Sequence, residues 1–261
     1  MVNKLSKSKL ISLIMSSLLL IIILILLLIN KDTLLYEFNK NFIENNNYLE
    51  LLKGLLNTVL ITFVAFIIGL IIGALICLIQ GVNTNNTILL ILKNIANAYV
   101  SIFRGTPATV QLLIIYFVIF ASFRGDAIYI AMITFGLNSG AYVSEILRGG
   151  INSISKGQME AGRSLGLSYG TTMKKIILPQ AIRNALPSLG NEFITLIKET
   201  SIVGFIGAID LTLAFRKIAN DTYDFEIVYI MMGIIYFLIV LIITILLRKL
   251  EGKLMNNVKI K

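Results

Sequence analysis

Several ionisable side chains, Glu145, Lys198 and Glu199 among them, stand inside predominantly apolar stretches. An ionised group buried in lipid costs at least about 2.5–3.5 kcal/mol, so each is a candidate for a functional contact. Asn138 and Tyr142 precede Glu145 by 7 and 3 residues, which puts all three on one face of a helix. Glu192, Thr195 and Glu199 form a second polar stripe at offsets 0, 3 and 7. Such stripes must face other helices. Two chemistries fit them: a static ion pair, for instance Glu145 with Lys198, or contacts to a charged molecule passing between the helices. Glu145 lies near the end of its apolar run, where a long side chain can reach the interface. Thr106 and Gln111, at the start of another run, add neutral polar candidates, and the adjacent Arg104 reads as an interfacial anchor.

Catalytic chemistry has less to stand on. The chain has no histidine and a single cysteine, Cys77, which removes a disulfide framework, a Cys/His zinc site and a histidine-based triad. A phosphate-cradling G-x-x-x-x-G-K-[ST] loop is absent; the nearest stretch, Gly166 to Thr171, lacks the lysine. The chain is therefore expected to bind no ATP or other cofactor itself and to be no enzyme in its own right.

The elements that must position these groups follow from composition. Of 261 residues, 57% are hydrophobic and only 14% charged, too apolar for an ordinary soluble domain. Six apolar runs are long enough, or nearly so, to cross a bilayer: Leu10–Ile29, Gly54–Ile79, Ala108–Phe123, Ala127–Leu147, about Leu186–Ile209, and Ile227–Leu247. None alternates as a barrel strand would, so the expected fold is an all-α membrane protein of about six transmembrane helices. Leu10–Ile29 follows Lys4, Lys7 and Lys9 but is longer than a signal-peptide core and lacks a small-residue cleavage site, so an uncleaved span is expected. Gly69 and Gly73 make a G-x-x-x-G that permits close helix contact.

The formal net charge of +9 comes from residues between the apolar runs, not from an aromatic-interleaved basic face, so anionic lipid and not nucleic acid is the expected partner. Basic residues gather on one side of the spans: the N-terminus, Lys93, Arg104, the segment Arg148 to Arg183, and the tail from Arg248 to Lys261. Asp32, Glu37, Glu44, Glu50, Asp126, Asp210, Asp221, Asp224 and Glu226 fall on the other. The positive-inside rule then puts both termini in the cytoplasm.

The longest polar interruption between spans, Arg148 to Arg183, is expected there too. Lys156–Leu165 and Thr171–Leu178 each suit a short helix, Gly166 and Gly170 allow a bend between them, and Pro179 is expected to stop the second. This stretch resembles the Glu-Ala-Ala signature loop of bacterial ABC import permeases: Glu160, Ala161, Gly166, Ile176, Leu178 and Pro179 hold the signature positions, with Gly162 replacing the second alanine. Small for small should preserve the close approach at up to about 1 kcal/mol of helix propensity. Gly157-Gln158 before the loop glutamate, Phe103-Arg104-Gly105-Thr106-Pro107, Ala141 to Ile151, and Lys198-Glu199-Thr200-Ser201 are similar to the polar amino-acid importers of that family.

The resemblance covers Gly54 to the C-terminus. It leaves outside it the N-terminal span and extracytoplasmic loop expected over residues 1–53, and implies a five-helix permease domain over 54–250 with its coupling loop at 150–183, and a cytoplasmic tail over 251–261, in a bacterial plasma membrane. It also implies partners: ABC ATPase subunits gripping the loop, a second permease subunit forming a homo- or heterodimer, and an extracytoplasmic amino-acid-binding protein. A polar amino acid is the implied cargo, with Glu145 and Lys198 either pairing structurally or meeting its ammonium and carboxylate. The competing reading is an ion-coupled secondary carrier, which would show inverted internal repeats; none is visible.

Overall fold

The computed structural model describes residues 31–44, 46–82 and 85–256, and the expected span Leu10–Ile29 lies outside them. All regular elements among the described residues are helical. Helix α1 (Lys31–Phe38) runs into a π turn (Asn39–Glu44), followed by α2 (Asn47–Gly81), α3 (Thr87–Gly105), and α4 (Ala108–Ile114) extended by a π turn (Ile115–Ile119). Then come α5 (Ala127–Asn152), α6 (Lys156–Ser164), α7 (Tyr169–Thr172) with a π turn (Met173–Ile177), and α8 (Leu178–Glu199) with a 3-10 turn (Thr200–Ile206). The amphipathic α9 (Leu211–Thr222) and the long α10 (Phe225–Asn256) complete the bundle.

Among the described residues, α2, α3, α5 and α10 are long and apolar enough to cross a membrane, with Ala108–Ile119 a shorter apolar piece. Three expected spans thus appear as α2, α5 and α10. The run read as Ala108–Phe123 is shorter than expected. The span placed at Leu186–Ile209 is displaced: its α-helix begins at Leu178 and ends at Glu199. Helix α3 has no counterpart among the expected spans, because Lys93, Asn97, Ser101 and Arg104 break its apolar run in sequence. At offsets 0, 4, 8 and 11 they nevertheless share one helical face, leaving the other face apolar.

The core is the contact of α2 with α5, and it is built on missing side chains. A Cβ on Gly69 would fall 2.8 Å from Ser139 Cβ, and one on Gly73 2.5 Å from Val143 Cγ1. In return, Gly136 and Gly140 of α5 receive Ile68 and Ile72 of α2, at 2.5 and 2.8 Å from a Cβ. Two interlocked G-x-x-x-G faces bring the backbones close where lipid offers no hydrophobic drive to pack. Most of the apolar stretch of α5 is buried as a result, whereas along α10 only Val228 is buried among the described side chains, which leaves the apolar surface of that helix largely uncovered.

Two ends of the bundle can be distinguished. At the Gly54 end, Gly54 abuts the Asp210 carbonyl oxygen, Thr58 Oγ1 accepts from Leu211 N at 3.1 Å, and Asp210 caps α9 by accepting from Thr212 N and Leu213 N at 3.0 and 2.8 Å. Burial pushes the Asp210 carboxyl up, and those two N–H bonds pull it back. Phe42 lies edge-on to Phe215 at 6.1 Å between ring centroids, and Asn41 donates to Asp224 Oδ2 at 2.6 Å, fastening the segment before α2 onto α9 and α10. At the opposite, Gln80 end, Gln80 Nε2 donates to Asn97 Oδ1 at 3.0 Å and Gly150 packs on the Ala181 carbonyl, beside the α6–α7 loop.

Candidate functional site

The α6–α7 loop is a capped, compact hairpin. Ser155 opens α6 by accepting from Gly157 N at 3.3 Å. Gly166 closes it at φ +80°, with Gly166 N donating to Arg163 O at 3.0 Å and Leu167 N to Gly162 O at 3.1 Å. That pair of bonds is a Schellman motif, which requires the left-handed conformation glycine adopts without strain. Ser168 then caps α7 by accepting from Thr171 N at 3.2 Å. Gly170 has no positive φ and sits within α7, so Gly166 alone makes the glycine bend.

Gly157, Gln158, Glu160 and Ala161 are exposed along α6, with Leu165 and Tyr169 exposed at its tip, 80% and 55% respectively. Gly162 is buried against Thr172, where even an alanine Cβ would fall 2.5 Å from Thr172 Cγ2. Gly162 thus keeps the close approach expected of a small residue in place of the second alanine, with Thr172 packed directly on it. The expectation for Pro179 is corrected. It does not stop the second loop helix but stands at the second residue of α8, directly after the π turn that feeds it. The expected helix Thr171–Leu178 is instead α7 plus a π turn, which hands the chain into α8 without a break, with Ile176 and Leu178 half-buried along it.

A second locus lies where α3 gives way to α4. Thr106 and Pro107 are extended, with ψ 149° and 138°, and interrupt the helix. Gln111 repairs the interruption: Nε2 donates to Phe103 O at 2.8 Å, Thr106 O at 3.0 Å and Thr106 Oγ1 at 2.8 Å, while Oε1 accepts from Asn138 Nδ2 at 2.8 Å. Asn138 Oδ1 is buried with no donor among the described residues. Nearby on the same helix, Ser139 Oγ donates to Glu192 Oε1 at 2.8 Å, and Glu192 is only 8% exposed. Ser139 was not singled out in the sequence; a serine 53 residues from its partner carries no local signal.

The third locus is an ion cluster. Arg148 grips Glu145 with two nitrogens, Nε at 3.0 Å and Nη2, and Arg104 Nη1 approaches Glu145 Oε2 at 3.3 Å. The Arg104 guanidinium also sits over the Tyr142 ring, 5.5 Å from its centroid. Arg104 is thus a member of the cluster instead of only an interfacial anchor. The ion pair of Glu145 with Lys198, one of the two chemistries considered, does not form. Lys198 is exposed and lines an apolar cavity with Thr212 and Tyr236, and Glu199 is half-buried beside it. Asn138, Tyr142 and Glu145 share a face as expected but serve two loci, and Lys198 and Glu199 join neither. Among the described residues no group of acids, cysteines or histidines could hold a metal ion.

The arginine transport system permease protein ArtQ of Bacillus subtilis (strain 168) is 42% identical over 209 residues, 79% of this chain and 93% of ArtQ. The glutamine transport system permease protein GlnP of Escherichia coli (strain K12) is 38% identical over 167 residues, 63% of this chain and 76% of GlnP. A crystal structure of an amino acid ABC transporter with histidines superimposes with a TM-score of 0.72 at 38% identity, covering 78% of this chain and 94% of that one. Residues 86–256 match the family model for the inner membrane component of binding-protein-dependent transport systems, so this multi-pass membrane chain belongs to that family of ABC transporter permeases.

Proposed function

We propose that the chain is the membrane-spanning permease of an ATP-driven importer for a polar amino acid, coupled through the α6–α7 loop to a separate ATPase. The observation that carries this reading is the loop itself: a rigid helix, capped at both ends, whose exposed Leu165 and Tyr169 offer apolar surface that needs a protein partner. A short helix anchored by spans on both sides passes an ATPase closure on as a rigid-body movement. Arginine and glutamine transport by the relatives supports an amino-acid cargo. The basic residues flanking the loop support a cytoplasmic position for it and for both termini. A second permease subunit and an extracytoplasmic binding protein complete the assembly.

Substrate passage is assigned to the break between α3 and α4. Discontinuous helices at bilayer depth recur where a carrier binds its cargo, because unwound backbone and amide side chains are tolerated there only when they line a passage. Thr106, Gln111 and Asn138 form the polar wall, with the unpartnered Asn138 Oδ1 free to accept from an ammonium. Tyr142 and Glu145 continue it toward the loop end. Lys198 and Glu199 have no assigned part in passage. An ion-coupled carrier remains the opposing reading, and family membership weighs against it.

The test is co-purification with the ATPase followed by reconstitution into liposomes. Hydrolysis that rises when binding protein and amino acid are added, with ATP-dependent uptake, supports the proposal. Uptake driven by an ion gradient without ATP rejects it.

A further inference from the structure

At the Gln80 end two cavities of about 520 Å³ each adjoin, within the roughly 300–1,000 Å³ range of small-molecule sites. One is lined by Gln80, Lys93, Asn97, Ser101 and Arg148, the other by Tyr142, Ser153, Asn184 and Ser188, and both by Arg104 and Glu145. The Arg104–Glu145 bridge is therefore the partition between them. Two features make that partition exchangeable. Arg148 holds both carboxylate oxygens of Glu145, so withdrawal of Arg104 leaves no stranded charge. Gln80 Oε1, on the wall of the first cavity, is buried with no donor among the described residues.

The cavity offers guanidinium donors for an anion beside two acceptors for a cationic N–H group. A simple anion would meet Glu145, and a simple cation would meet Arg104, Arg148 and Lys93; a molecule carrying both charges close together satisfies all of them. We propose that this cavity is a release-side binding site for a free α-amino acid. Its carboxylate takes Arg104, and its ammonium replaces that guanidinium on Glu145 and donates to Gln80 Oε1. The inference rests on the import reading, which puts the loop end on the release side. A phosphatidylethanolamine headgroup carries the same paired charges, so the test must separate the two.

The complete transporter, permease with its ATPase, is reconstituted into phosphatidylethanolamine-free vesicles loaded with ATP and graded amounts of L-arginine or L-glutamine. Internal amino acid is expected to slow initial uptake. In R104Q the half-effective load, scored against that variant's own empty-vesicle rate, should rise about tenfold or more, with R104K restoring part of it. Internal agmatine, which lacks the carboxylate, should be ineffective. An unchanged half-effective load in R104Q, or equal potency of agmatine, overturns the inference. Loss of the effect when phosphatidylethanolamine is included also overturns it, making the lipid the occupant. If wild-type vesicles show no uptake, the import reading fails by itself. Equilibrium binding of labelled L-arginine and L-glutamine to the purified complex then decides the inference: about tenfold weaker binding in both R104Q and Q80L supports it, and wild-type affinity in both, or no binding to wild type, overturns it.

Discussion

Gly162 meets Thr172 so closely that an alanine Cβ would lie 2.5 Å from Thr172 Cγ2 and 2.9 Å from Oγ1, while Thr172 is itself held by a 3.0 Å bond to Ser168 O. The hairpin loop is clamped at this point. Alanine gains at most about 1 kcal/mol of helix propensity there, against about 1–3 kcal/mol for overpacking. G162A is expected to lower thermal stability, and G162A/T172S, which removes the clashing methyl, to recover it. A double-mutant cycle on the melting temperature measures the coupling; additive effects would contradict the clamp.

Gly73 tests the α2–α5 interlock. Its alanine variant would press a methyl group to 2.5 Å from Val143 Cγ1 and 2.9 Å from Gly140 O, whereas a Cβ on Gly149 meets nothing within 4 Å. G73A should destabilise the folded chain by about 1–3 kcal/mol and G149A should be close to neutral. Thermal denaturation in detergent, followed by size-exclusion recovery, compares the two.

Gln111 is the joint of the broken helix. Its replacement by leucine removes the donor to Phe103 O, Thr106 O and Thr106 Oγ1 and strands Asn138 Nδ2. Each buried group left unpaired costs about 1–3 kcal/mol, so Q111L should lose both stability and uptake. Gln111→Glu keeps an acceptor for Asn138 but loses the amide donor, and should give intermediate recovery of folded protein. Expression, melting temperature and uptake per folded transporter separate the two effects.

Part of the loop was legible in the sequence because its signals are local: a short helix after Lys156, a glycine bend that includes Gly166, and a proline that marks a helix boundary. The same proline shows the limit, since a proline ends one helix and begins the next with equal ease, and only the continuous π turn at Met173–Ile177 decides between them. The apolar spans α2, α5 and α10 were legible from length and composition. Helix α3 was not, because its four cavity-facing polar residues interrupt the apolar run in sequence while sharing one face in space. Long-range pairings carried no signal: Gln111 with Asn138 and Ser139 with Glu192 lie 27 and 53 residues apart. Glu145 stood out as an ionisable group in an apolar run, but its partners were not legible: one is Arg148, a turn away, and the other Arg104 on α3.

The central claim, that the α6–α7 loop transmits ATP hydrolysis to the spans, is tested most directly through Leu165. This side chain is 80% exposed at the helix tip and makes no packing that the fold requires. In reconstituted transporter the ratio of amino acid imported to ATP hydrolysed is measured for wild type and L165D. The account predicts that L165D inserts and melts like wild type, while uptake per ATP falls about tenfold or more. Wild-type uptake per ATP in L165D, together with unchanged stimulation by the binding protein, would contradict it.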